Sequence, residues 1–161
     1  MKNYKAPWSM SLIVISTLAT ILCVGISTGI LWKLGGLLRV VTVLPLAILF
    51  GSALFTIRGY AITSDAILVQ RLFWTTRLPL AGLQSAQFEP SAMRSSLRTF
   101  GNGGLFSFTG FFHNKGLGAY RAFVTDPNRT VVLRFSNRTV VVSPAAPEEF
   151  VRDIAVSNQV T

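Results

Sequence analysis

The sequence predicts a two-helix transmembrane hairpin followed by a mainly-β domain of about seven strands, closed by a C-terminal helix. Three observations carry this expectation. Ala6 to Trp32 and Val40 to Ile57 contain no charged side chain. After Arg58 the pattern changes to short alternating segments separated by turn residues. Pro147-Glu148-Glu149 then opens a stretch with helical apolar spacing. The boundary falls between 58 and 59, giving a hairpin over 1–58 and a β domain over 59–161.

The first span is expected over 9–31. As a helix it is roughly 35 Å long, enough for a hydrocarbon core of about 30 Å. Trp8 and Trp32 sit at its ends, where amphipathic rings favour the headgroup level. The run is too long for the apolar region of a signal peptide, and a second run follows, so it reads as retained. The second span is expected over 37–57, with Leu37 and Leu38 joining it and Arg39 snorkelling outward. Pro45 lies inside it, a position membrane helices tolerate when neighbours satisfy the freed carbonyl. A short basic turn, Lys33 to Arg39, joins the two. Gly25, Gly29, Gly51, Ser52 and Ala53 either let the helices approach closely or are ordinary membrane-helix composition. Lys2, Lys5, Arg58, Arg71 and Arg77 outweigh Lys33 and Arg39, so both termini and the domain are expected at the cytoplasmic face of a multi-pass protein of the cell membrane.

Composition agrees. Of 161 residues only 13% are charged, against roughly 25% in soluble domains, and the deficit lies in the first third. The net charge is +9, and all six acidic residues follow the hairpin. On a tethered domain such a balance points to anionic lipid headgroups rather than to nucleic acid. Cys23 is the single cysteine, which excludes an intramolecular disulfide and a cysteine zinc site.

Within the domain, Gly59 to Thr63 reads as a strand, and Ser64-Asp65 as a turn. In Ala66 to Arg71 the alternation puts Ile67 and Val69 on one face. Trp74 to Leu80 is a third strand, in which Pro79 implies an edge or a strand end, and Leu83 to Glu89 a fourth. Pro90 to Gly118 is rich in Ser, Gly and Phe and has no clear period. Ala119 to Thr125, Thr130 to Phe135 and Arg138 to Ser143 complete seven, with Asp126-Pro127-Asn128 as a strong turn. The last element is a helix over 147–157, with Glu148 and Glu149 at its positive end and Phe150, Val151, Ile154 and Ala155 on one apolar face.

Two apolar runs, then "RGYAITSDAILVQ", "TRLPLAGLQSAQ", a Gly-rich middle and "VVVSPAAPEEFVRDI", resemble the membrane-anchored bacterial pleckstrin-homology-like family. The Tyr60-x-Ile62-Thr63-x-Asp65 entry and the Ser143-Pro144 exit toward Pro147, Glu148, Phe150 and Val151 are its most specific pieces. The resemblance implies seven strands in two orthogonal sheets capped by a helix, and a role in binding or assembly without catalysis. Eukaryotic lipid-binding members carry basic residues around the first strand-turn-strand. Here that turn is Thr63-Ser64-Asp65, so phosphoinositide binding does not carry over.

No catalytic constellation is evident, and no cofactor is expected. His113 is the single histidine and reads as a solvated loop residue beside Asn114 and Lys115. The only paired carboxylates are Glu148 and Glu149, which suit a helix end. There is no Gly-x-Ser-x-Gly elbow, and Gly101 to Gly104 is no phosphate-binding loop. Asn128-Arg129-Thr130 and Asn137-Arg138-Thr139 fit the glycosylation tripeptide but fall in a domain expected in the cytoplasm. The informative stretch is Met93 to Arg121, which holds Arg94, Arg98, Lys115 and Arg121, has phenylalanines interleaved with glycines and contains no acid. Its candidate membrane or partner surface is Arg94, Arg98, Phe106, Phe108, Phe111, Phe112, Lys115 and Arg121. The phenylalanines are core, or dip into the bilayer interface, or form a docking surface for another protein or a second copy. The expected function is a non-enzymatic membrane-anchored scaffold or binding module that contacts protein partners or anionic lipid. The alternative is an accessory subunit of a membrane enzyme or transporter, contacted through the hairpin.

Overall fold

A computed structural model of the chain describes residues 1–33 and 43–159. Helix α1 (Met10–Lys33) and helix α2 (Val43–Leu54) precede the domain, and strand β1 (Lys2–Lys5) precedes both helices. The domain then runs β2 (Ile57–Ile62), β3 (Ala66–Arg71), β4 (Thr75–Pro79), β5 (Leu83–Phe88), β6 (Leu97–Gly103), β7 (Phe108–Asn114), β8 (Gly118–Val124), β9 (Val131–Phe135), β10 (Thr139–Val142) and helix α3 (Pro147–Gln159). The strands form two sheets, in the orders β1-β2-β3-β4 and β5-β9-β10-β8-β7-β6.

Ser9 starts α1: its hydroxyl accepts the Leu12 amide at 3.2 Å, satisfying one of the free donors of the first turn. Residues Met10–Gly29 are the one stretch among the described residues that is long and apolar enough as a helix to cross a membrane. Leu18, Ile21 and Leu22 on it are exposed. The expected second span is corrected at its end. Phe55 and Thr56 amides bond back to Ser52 and Ala53, the helix stops at Leu54, and Ile57 enters β2 as a fully buried core residue. The apolar run is continuous across a helix and a buried strand, so hydrophobicity alone does not mark the switch. The turn beyond Lys33, the start of the second run and the Trp32 side chain lie outside the described residues. Among the described residues a Cβ on Gly25, Gly29 or Gly51 would meet nothing within 4 Å, so these glycines bring no described part of the two helices into close approach.

All seven expected strands are present, as β2 to β5 and β8 to β10, with Pro79 ending the edge strand β4. Ten strands, not seven, lie among the described residues. Two of the extra strands, β6 and β7, come from the stretch that shows no period. Its glycines and a bulge between Arg98 and Phe100 break the alternation, and His113 accordingly stands on a strand. The third is β1, which crosses the expected 58/59 boundary by pairing antiparallel with β2, Tyr4 opposite Tyr60. Four residues with two lysines carry no strand signal alone; the open edge of β2 supplies it.

The N-terminal strand is also clasped from the side. The Tyr4 ring stands edge-on to Phe150 at 5.1 Å. Lys2 Nζ lies 2.8 Å from Asp153 Oδ1, and the Tyr4 hydroxyl donates to the same carboxylate. These two bonds hold the Asp153 carboxyl below its ordinary range. Their contribution is therefore complete above the ordinary aspartate value near 4 and disappears as pH falls through the depressed one. Asp153→Asn should fray β1 at neutral pH with little change in global stability, read as faster amide exchange at Asn3 to Lys5.

The main core lies between the sheets. Tyr60, Val69, Leu133, Val140 and Phe123 meet there, and Phe150 and Ile154 of α3 close it. Ala155, expected on the same helical face, is exposed. A second cluster, Phe112, Tyr120, Val132 and Val141, covers the other face of the large sheet, with Ala92 and Met93 packed on it. Burial on both faces explains the unbroken Val131-Val132-Leu133 run in β9.

Candidate functional site

One cross-strand row locates the site. Val140, Arg121, Phe111 and Phe100 are successive partners across β10, β8, β7 and β6. Val140 is fully buried, whereas Phe111 and Phe100 are 52% and 74% exposed. The inner face of the large sheet therefore continues past the core without a covering sheet. Ile48, Gly51, Ser52 and Phe55 of α2 and the residues after it stand opposite this bare face. Between them lies a cleft of about 600 Å³, a size typical of small-molecule sites.

Three arginines line it: Arg71, Arg98 and Arg121. Arg71 is only 7% exposed. Its Nε donates to Thr76 Oγ1 at 3.3 Å and its Nη1 to the Phe55 carbonyl at 3.1 Å. Its guanidinium lies 5.3 Å from the centre of the buried Phe123 ring, and that of Arg121 lies 4.9 Å from the same ring. Phe55, Trp74 and Phe111 supply further aromatic contacts at 5.4, 5.6 and 5.7 Å. Ring quadrupoles hold such cations in place without neutralising them. Among the described residues no carboxylate lines the cleft. Asp65, Glu89, Asp126 and Asp153 are ion-paired elsewhere. Burial first, and the neighbouring Arg121 charge second, pull Arg71 down to about 10, so it stays charged at neutral pH but favours an anion beside it.

The β6–β7 turn fixes this wall to both helices. Asn102 closes the turn on Leu105, its Oδ1 accepting the Leu105 amide at 3.1 Å. Phe106, at φ 63°, donates its amide to Ser16 of α1 at 2.9 Å, and its ring lies 6.3 Å from Trp8. The next residue, Ser107, donates to the Phe55 carbonyl at 3.1 Å. Adjacent residues thus tie α1 at Ser16, almost two turns into the helix, to the residue that follows α2.

Of the sequence-derived surface, Arg98, Phe111 and Arg121 come together at the cleft. Phe106 packs on Trp8, and Phe108 and Phe112 belong to the opposite face of the sheet. Arg94 and Lys115 are exposed away from the cleft. Sequence reasoning missed Arg71 and Phe55, which sit outside the basic, Phe-rich stretch. The available signal was a charged residue ending the apolar-alternating strand β3.

A family model for the bacterial PH domain matches residues 58–158. The chain belongs to the bacterial PH domain family. Comparisons with curated proteins and with solved structures gave no match. PH domains are generally non-catalytic binding modules, and the two-sheet arrangement closed by α3 is consistent with that fold. The PH domain itself supplies the sheet and the three arginines. The opposing wall, α2, lies outside the matched residues, so the cleft forms between the domain and the helix that precedes it.

Proposed function

We propose that this bacterial PH protein is a membrane-anchored, non-enzymatic binding module that holds an anionic lipid at the cytoplasmic face of the cell membrane. The observation that carries the reading is the pairing of Arg71 and Arg121 on one phenylalanine ring, without a carboxylate, in a cleft walled by an apolar helix. A phosphate would meet the guanidiniums, and an acyl chain would follow Ile48 and Gly51 along α2. Strand pairing supports the anchoring. β1 precedes α1, β2 follows α2, and the two are neighbours in one sheet. A chain with both flanks in one sheet crosses a bilayer an even number of times, as the two apolar runs of the sequence require.

Native mass spectrometry of the full chain in detergent tests it. Phosphatidylglycerol should be retained in preference to phosphatidylcholine. Arg121→Gln, at a position the core does not need, should lower that retention about tenfold, the loss of one charge-assisted contact. Equal retention of both lipids, or retention unchanged in the variant, would refute the reading.

A further inference from the structure

The tip of the β3–β4 hairpin is built unlike an ordinary turn. Its residues are Leu72, Phe73 and Trp74, with no Gly, Pro, Asn or Asp. Leu72 is 44% exposed, Phe73 70% and Trp74 39%. The turn is nonetheless ordered: the Arg71 amide donates to the Trp74 carbonyl at 3.0 Å, and the strands pair up to Gln70 and Thr75. At the other end of β3 the turn is Thr63-Ser64-Asp65, which is polar. The hairpin therefore has one wet end and one apolar end, about 20 Å apart at 3.3 Å per residue.

Its apolar end is level with the helices. Trp74 stands edge-on to Phe55, with centroids 5.4 Å apart and planes at 87°. Phe55 directly follows α2, and its carbonyl receives both Arg71 and Ser107. Leu72 and Phe73 precede Trp74 in the same turn and are exposed, so the turn adds apolar surface next to the exit of α2.

We propose that Leu72, Phe73 and Trp74 insert into the bilayer interface as a third contact of the protein with the membrane, beside the two helices. A tryptophan at the headgroup level with two apolar neighbours beneath it is the arrangement an interface favours. Insertion fixes the tilt of the domain and turns the mouth of the arginine cleft toward the headgroups. The inference rests on the membrane anchoring proposed above, but not on the lipid preference of the cleft, because Leu72 and Phe73 do not line it.

Spin labels on the full chain in phosphatidylcholine vesicles separate these claims. In a Cys23→Ala background, single cysteines are placed at Phe73, at Leu18 on the exposed face of α1, and at Ser64. All three positions are exposed, so labelling leaves the core intact. Collision with oxygen reports the apolar phase, and collision with a nickel chelate reports water. The expected result is that Phe73→Cys and Leu18→Cys favour oxygen while Ser64→Cys favours nickel. If Leu18→Cys favours oxygen but Phe73→Cys matches Ser64→Cys, the insertion is wrong and the anchoring stands. Low collision with both reagents at Phe73→Cys would mean that a second copy covers the tip, which also overturns it. Leu18→Cys favouring nickel would remove the anchoring and the insertion together.

Discussion

Gly110→Ala should separate β6 from β7 and dismantle one wall of the arginine cleft. Gly110 has φ 141° and Gly101, its partner across the hairpin, has φ 108°. A Cβ on Gly110 would stand 2.1 Å from the Phe100 carbonyl oxygen and 2.8 Å from the Gly101 Cα. Both are backbone atoms, so relief requires the strands to part. The conformation alone costs an alanine about 1–3 kcal/mol, and the lost pairing adds to that. Phe111 stands next in β7, opposite Arg121, so the aromatic support of that arginine goes with the pairing. The expected outcome is a clearly lowered melting temperature of the full chain in detergent, together with loss of retained phosphatidylglycerol. Gly116→Ala is the control. Its Cβ would meet only Asn114 Oδ1 at 3.8 Å, and both readouts should stay near those of the parent.

Tyr60→Phe should destabilise the domain with no change in volume beyond one oxygen. Tyr60 is fully buried on β2, yet its hydroxyl serves the other sheet. It donates to the Phe123 carbonyl at 2.6 Å and accepts the Ser143 amide at 3.2 Å. Ser143 Oγ in turn accepts the Thr125 and Asp126 amides at 2.9 and 3.2 Å. Removing the oxygen leaves a buried carbonyl and a buried amide without their partner, at a cost of about 1–3 kcal/mol. Burial above all pushes the Tyr60 phenol from its ordinary value near 10 up to about 12. A raised folded-state value favours the protonated phenol. Its contribution is thus complete below pH 10 and is lost as pH rises from 10 through 12. Melting curves should show the parent losing stability faster than Tyr60→Phe across that window. Parallel slopes would contradict the assignment.

Much of this fold is legible in the sequence because its strands alternate cleanly. Ile67 and Val69, Val131, Leu133 and Phe135, and Val140 and Val142 all face the main core as their spacing requires. What the sequence hides is pairing that depends on a partner far along the chain. Lys2 to Lys5 becomes a strand only because β2 offers an edge, and Phe100 to Gly103 only because Phe108 to Phe111 lies opposite. The cleft was half legible for the same reason. Arg98, Phe111 and Arg121 share a stretch whose composition is conspicuous, whereas Arg71 and Phe55 reach the site through tertiary contact. Phe108 and Phe112 share that composition but alternate onto the opposite, buried face, where a count of aromatic residues cannot separate them from Phe111.

The neighbouring of β1 and β2 also bears on how the protein is made. Strand β1 leaves the ribosome as an outer strand whose partner among the described residues, β2, is synthesised roughly fifty residues later, after both helices. Closing so long a loop is entropically slow but cheap in length, since each doubling costs only about 0.6 kcal/mol. The small sheet therefore cannot be completed before the helical segment is finished, and it closes only when both ends of that segment have come together. On the anchoring proposed above, sheet closure would act as a proofreading step for insertion: a chain with one helix misplaced would leave an open β2 edge, the kind of surface on which quality control and aggregation both act.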